Sequence, residues 1–190
     1  MLQHPLEQHS AKGSARLLQL SLSCCRLVMG ETFAQAELHA LLRDPFGLNA
    51  QTTQQKHPIL LYPHTTDAPS TPPILPTEML RDQSRLRLIV IDGTWRKSRK
   101  LLHVNPLLQQ LPRLSLQDVP LSRYVIRKAH RVDQLSTLEA TCIALAQLEG
   151  NAERFDPLLK AFDGFVAQQL AQRQAGITTA SKSSDTMVQL

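Results

Sequence analysis

The chain has 190 residues, 42% of them hydrophobic, with three cysteines and a formal net charge of +5 from 21 Lys and Arg against 16 Asp and Glu. That length suits one domain with a sizeable core, and no run approaches the roughly 20 apolar residues that a membrane span needs. The opening "MLQHPLEQHSAKGS" has no apolar signal core, and an odd cysteine count without a CxxC pair excludes a disulfide framework or a cysteine-rich zinc site made by this chain alone, so a cytoplasmic protein is expected.

In chain order, "SARLLQLSL" reads as a short helix and "CRLVM" as a strand closed by Gly30. "TFAQAELHALL" opens with Thr32 as the expected N-cap and carries a helical stripe of Phe33, Ala36, Leu38 and Leu41. Residues 49–57 and 64–77 are rich in Gln, Thr and Pro and read as loops. Between them "PILLYP" is a short strand with a proline at each end. "LRLIVID" is a near-continuous apolar run, the pattern of a strand covered on both faces, and "PRLSL" is a further strand candidate.

The C-terminal part carries explicit helix signals. "LSTLEATCIALAQLEG" has Ser136 and Glu139 spaced as a capping box and Gly150 as a stop. "FDPLLKAFDGFVAQQLAQ" starts with Asp156 and Pro157 at the cap and first-turn positions, and aligns Leu158, Phe162, Phe165, Val166 and Leu170 on one stripe. Residues 174–190 are small and polar and read as a disordered tail, so one domain over residues 1–173 is expected. Helices alternating with strands predict an α/β fold with a mainly parallel sheet.

Charge is uneven along the chain. Residues 96–131 hold Arg96, Lys97, Arg99, Lys100, Arg113, Arg123, Arg127, Lys128 and Arg131 against Asp118 alone. Such a field suits a polyanion such as nucleic acid; a solvated surface with a few ion pairs accounts for it equally well. The stretch "VIDGTWRKSRKLL" places Asp92 at the carboxyl end of the apolar strand, where open α/β sheets bind ligands. Gly93 permits a tight turn and Thr94 caps the following helix. At 3.6 residues per turn, Trp95, Ser98 and Leu102 share a face, and Arg96, Arg99, Lys100 and His103 share the nearly opposite one. The tryptophan therefore packs inward or against a ligand while the basic stripe faces outward. Capping, core filling and solvation explain the same residues without a ligand.

"LSRYVIRKAH", if extended, alternates Tyr124, Ile126 and Lys128 with Arg123, Val125 and Arg127. As a loop near Asp92 it would offer Ser122, Tyr124 and Arg127 to a nucleotide; as a surface strand its cations would snorkel. His4, Glu7, His9 and Lys12 lie close in sequence, but their spacing is not of the HExxH type and no third strong ligand is in register, so no metal is expected.

"LQHPLEQHSAKGSARLL", "PILLYP", "IDGTW", "SRYVIRKA" and "LSTLEA" follow the order and spacing of the DTW-domain family. The chain resembles that family over roughly residues 2–170. The resemblance implies a tRNA-uridine aminocarboxypropyltransferase, which uses S-adenosylmethionine to transfer a 3-amino-3-carboxypropyl group to N3 of a uridine in tRNA and releases methylthioadenosine. It implies a SPOUT-like parallel α/β fold, knotted or deeply threaded near the C-terminus. Asp92, Thr94 and Trp95 become the catalytic candidates, with Asp92 accepting or orienting the N3 proton. Leu61, Tyr62, Pro63, Ser122, Tyr124, Ile126, Arg127, Lys128, Thr137 and Glu139 become candidates for the cofactor site, and Lys12, Arg96, Lys97, Arg99, Lys100 and Arg131 for tRNA binding. The family's N-terminal cysteine cluster and the strand that usually leads into the first motif are not found, which implies a lost sheet edge. Ser14 stands where threonine is common. A SPOUT-type RNA methyltransferase and an inactive tRNA-binding module are the alternative readings.

Overall fold

The computed structural model describes residues 1–8, 14–47, 54–64, 72–117, 119 and 135–185, with side chains to residue 172. Five parallel strands form one sheet in the order β2-β1-β4-β3-β5. They are β1 (Leu2–Gln3), β2 (Val28–Met29), β3 (His57–Leu61), β4 (Leu86–Asp92) and β5 (Arg113–Leu114). The apolar run "LRLIVI" becomes the central strand, where Ile89 and Val90, on opposite faces, are both buried. The first two residues of the first motif are themselves a strand, and it lies inside the sheet, between β2 and β4, rather than at an edge.

Two apolar clusters flank the sheet. One joins Leu38 and Leu42 of α2 (Gln35–Arg43) and Leu101 and Leu102 of α4 (Trp95–Val104) to Leu60, Tyr62 and Ile89. It also takes in Leu108 of α5 (Pro106–Gln109). The other joins Leu18 of α1 (Ser14–Ser21), Leu138 and Cys142 of α6 (Thr137–Glu149), and Phe162 and Val166 of α7 (Asp156–Asp185). Between β3 and β4 lie the short helix α3 (Thr77–Arg81) and a 3-10 turn at Gln83–Arg85, neither of which periodicity marked.

The caps explain where the helices begin. At α4 the Thr94 hydroxyl accepts the Lys97 N–H at 3.4 Å. At α6 both halves of the capping box are made: Ser136 Oγ accepts the Glu139 N–H at 3.2 Å, and Glu139 Oε2 accepts the Ser136 N–H at 2.7 Å. Gly150 then ends α6 at φ +62°, a left-handed conformation that a β-carbon would strain. The expectation for α2 needs correction. Its cap is Ala34, without a side-chain bond, and not Thr32: the Phe33 N–H donates to the side-chain Oδ1 of Asn105 at 3.0 Å, which ties residue 33 to the end of α4 and leaves the helix to begin at Gln35. Ala36 is exposed, and the buried stripe of α2 is Leu38 and Leu42. In α7 the core-facing stripe runs through Phe162, Phe165, Val166 and Leu170 as read, while the helical backbone continues to Asp185, past residue 173. Among the described residues no helix is long and apolar enough to cross a membrane.

Candidate active site

Parallel strands put all their carboxyl ends on one edge of the sheet, and the four quoted motifs that lie among the described residues each bring residues there. β1 delivers Gln3 and His4, β4 delivers Asp92, β3 delivers Tyr62 and Pro63, and α6 brings its N-terminus to the same place. Asp92 is buried, 7% exposed. Its Oδ2 accepts a hydrogen bond from Gln3 Nε2 at 2.9 Å, and its Oδ1 accepts one from the Thr137 hydroxyl at 2.5 Å. Its carbonyl accepts the His4 N–H at 3.0 Å. Three motif blocks that are 89 and 45 residues apart from one another's partners in the chain thus meet on one carboxylate. Thr137 is the first residue of α6, so the carboxylate also lies where the helix dipole favours negative charge. A carboxylate has about four lone-pair sites, so two bonds leave acceptor capacity for a ligand.

Gly93 allows the close turn after Asp92: a β-carbon there would lie 3.3 Å from Lys97 Cβ and 3.6 Å from His4 Cβ. Trp95, at the start of α4, is 41% exposed and sits at the rim rather than in the core; the buried face of α4 is Ser98, Leu101 and Leu102. The Trp95 ring meets Tyr62 edge to face, with centroids 5.9 Å apart. Tyr62 is buried, the Arg113 guanidinium lies 5.2 Å from its ring centroid, and its hydroxyl has no hydrogen-bond partner among the described residues. Arg113 also donates to the Pro63 carbonyl at 3.1 Å, and Ser115 Oγ accepts the His64 N–H at 3.1 Å. These bonds set the chain that leaves β3. Leu61 is the last residue of β3 and half-buried.

The basic stripe divides in two. Lys97 pairs with Glu7 at 2.7 Å and Lys100 with Glu31 at 2.8 Å. Arg96, Arg99 and His103 are exposed, and among the described residues Arg96 and Arg99 have no ion pair. Glu31 also receives the buried His4, whose Nε2 lies 2.7 Å from its Oε2. The Leu6 N–H donates to His4 Nδ1, so in a neutral ring the proton resides on Nε2 and is donated to Glu31. The hydrogen bond from Lys100, then that from His4, holds the Glu31 carboxyl below its usual range. Among the described residues no three His, Cys, Asp or Glu side chains gather as a metal site.

Sequence reading missed Gln3, Glu31, Asn105 and Arg113 as organisers of this edge. Asn105 is 2% exposed; its amide donates to the Glu31 carbonyl at 2.8 Å and the Leu101 carbonyl at 2.7 Å. Nothing local distinguishes it, whereas Gln3 at least lies inside the "LQHP" block. Lys12, Ser122, Tyr124, Ile126, Arg127, Lys128 and Arg131 lie outside the described residues. Glu139 is brought to this edge as the capping partner of Ser136. A cavity of about 690 Å³ lies at the opposite, amino ends of the strands, lined by Cys25, Leu42, Phe46, Arg87 and Leu158 among others; Asp92, Trp95 and Tyr62 do not line it.

Residues 1–170 match the DTW domain. The chain belongs to the DTW domain family. The DTW chain is similar to tRNA-uridine aminocarboxypropyltransferase 2 of Drosophila melanogaster, 29% identical over 172 residues that cover 90% of this chain and 63% of that protein. The proteins of the same name from Macaca fascicularis and Mus musculus are each 28% identical, over 90% of this chain and 54% of theirs. This DTW chain therefore spans between about half and two thirds of the length of these relatives. No solved structure matches it.

Proposed function

We propose that the chain transfers the 3-amino-3-carboxypropyl group of S-adenosylmethionine to N3 of a uridine in tRNA, releasing methylthioadenosine. The observation that carries this reading is the convergence of Gln3, Asp92 and Thr137 beside the exposed Trp95, at the carboxyl edge of a parallel sheet. The names of the relatives supply the reaction class. The residues present suit an adenosine-bearing sulfonium: the buried Tyr62 hydroxyl has no partner among the described residues, and Trp95 offers an accessible aromatic surface next to it. When bound, S-adenosylmethionine supplies the electrophilic carbon and a neutral thioether leaving group.

The chain's own residues then have distinct tasks. As the N3–C bond forms and the C–S bond breaks, the N3 proton must leave, and Asp92 accepts or orients it. Thr94 starts α4 and fixes Trp95 at the rim. Thr137 and Gln3 hold Asp92 in place. Arg96 and Arg99, exposed on α4, are the cations offered to tRNA phosphates, whose contacts add affinity without sequence choice; Lys97 and Lys100 keep the first motif and Glu31 against α4. In this reading the sheet is SPOUT-like, residues 1–173 are one domain, and Ser122, Tyr124, Ile126, Arg127, Lys128 and Glu139 complete the cofactor site, with Lys12 and Arg131 on the tRNA side.

The test is incubation of the purified protein with S-adenosylmethionine and unmodified tRNA, followed by mass spectrometry of nucleosides and small molecules. A uridine carrying the aminocarboxypropyl mass, with methylthioadenosine in equal amount, is expected. Methylated nucleoside with S-adenosylhomocysteine would instead establish a methyltransferase, and tRNA binding without either product would establish a binding module. The Asp92→Ala variant is expected to lose turnover while still binding tRNA.

A further inference from the structure

We infer that Gln3 is a positioning residue for the reaction: it and Thr137 grip the two oxygens of Asp92 and fix the direction in which that carboxylate meets the substrate. The inference rests on the role given to Asp92 above. Three facts lead to it. First, Gln3 is 5% exposed, in a strand where an apolar side chain would be the ordinary filling. A buried amide is costly unless hydrogen-bonded, and the bond that Gln3 Nε2 makes is to Asp92 Oδ2.

Second, Gln3 and Asp92 are register partners on adjacent parallel strands. Their side chains emerge on the same face of the sheet, the face that α6 covers, while the neighbouring Leu2 and Ile91 point into the cluster on the other face. The main chain is pinned too: the His4 N–H donates to the Asp92 carbonyl and the Gly30 N–H to the Gln3 carbonyl, each at 3.0 Å. Third, the second oxygen of Asp92 is held independently by Thr137, a residue fixed by the capping box one position before it and two after it. Rotation of the carboxylate about its own axis would break both bonds at once. The free lone pairs therefore point one way, as alignment of a proton acceptor with a displacement requires.

The experiment compares Gln3→Met, which keeps the length and volume but removes the donor, with the wild-type protein and with Thr137→Val and Thr137→Ser. Gln3→Met and Thr137→Val are each expected to lower kcat by about 10- to 100-fold, the range a small misplacement of a catalytic group produces, with KM for tRNA and for S-adenosylmethionine within about twofold. Thr137→Ser, which keeps the hydroxyl, is expected to restore most of kcat. A Gln3→Met protein that is folded and has wild-type kcat overturns the inference, as does one whose losses lie in KM and thermal midpoint alone. If Gln3→Met does not fold, the Gln3 side-chain amide protons decide by NMR: they are expected to shift between the wild type and Asp92→Ala, and an unchanged resonance overturns the contact. Full turnover by Asp92→Ala would remove the reading of Asp92 itself, a result separate from any of these.

Discussion

Replacing Glu139 separates a structural from a chemical role for a residue that the motif marks for function. Its Oε2 accepts the buried Ser136 N–H at 2.7 Å at the head of α6. Glu139→Ala leaves that N–H without its partner. A charge-assisted bond of this kind is worth about 1.5–3 kcal/mol, and an anion at a helix N-terminus adds about 0.3–1 kcal/mol. The expected loss is thus roughly 2–4 kcal/mol. Glu139→Gln keeps an oxygen at the same position, and glutamine serves in a capping box, so its loss should be about 1 kcal/mol or less. Urea unfolding followed by circular dichroism reads both, with the slope held against the wild type to show that the unfolded state is unchanged. Turnover of each variant is measured beside it. If capping is the contribution of Glu139, Glu139→Gln keeps most activity while Glu139→Ala loses stability and activity together, since Thr137 is displaced from Asp92. A Glu139→Gln protein with the wild-type unfolding midpoint and no turnover would refute this reasoning and place the carboxylate in the chemistry. A loss below about 0.5 kcal/mol for Glu139→Ala would refute the energetic part.

Three other outcomes follow from the same contacts. Asn105→Ala removes three hydrogen bonds, one buried and two partly buried, and takes the partner from the Phe33 N–H and the Glu31 carbonyl; a loss of roughly 2–4 kcal/mol is expected in urea unfolding, and less than about 1 kcal/mol would mean that water replaces the amide. Glu31 has a folded-state pKa held below its ordinary 4.5 by Lys100 and His4. Its stabilising contribution is therefore present above that value and fades as pH falls through the depressed one, so the stability gap between wild type and Glu31→Gln should close in acid; a gap that widens there would have the wrong sign. Burial first, and the nearby Glu139 charge second, push the Cys142 thiol up to about 12. Iodoacetamide at pH 8 should label the exposed Cys24 readily and Cys142 only after unfolding, and equal labelling rates by mass spectrometry would contradict the packing of α6.

Much of the architecture follows from signals carried by neighbouring residues. The central strand shows in the run "LRLIVI", the start of α4 in Thr94, and both ends of α6 in the Ser136–Glu139 pair and Gly150, because capping, turn geometry and burial pattern act over a few positions. The same locality explains what sequence did not determine. Helical spacing fixes angles between side chains but not which way the helix is turned, so Trp95 sits at the rim while Ser98 faces the core. Thr32 has the chemistry of a cap, yet the helix begins only after Ala34, and the intervening Phe33 N–H is tied to the Asn105 side chain 72 residues away. Lys97 and Lys100 both count as tRNA-binding candidates in the sequence until Glu7 and Glu31 arrive from other elements. Above all, sequence marks Asp92 at the end of its strand but not its partners: the sheet register sets Gln3 beside it and the head of α6 sets Thr137 above it. Hydrogen bonds between distant segments depend on register and packing, and these exist only once the sheet has formed.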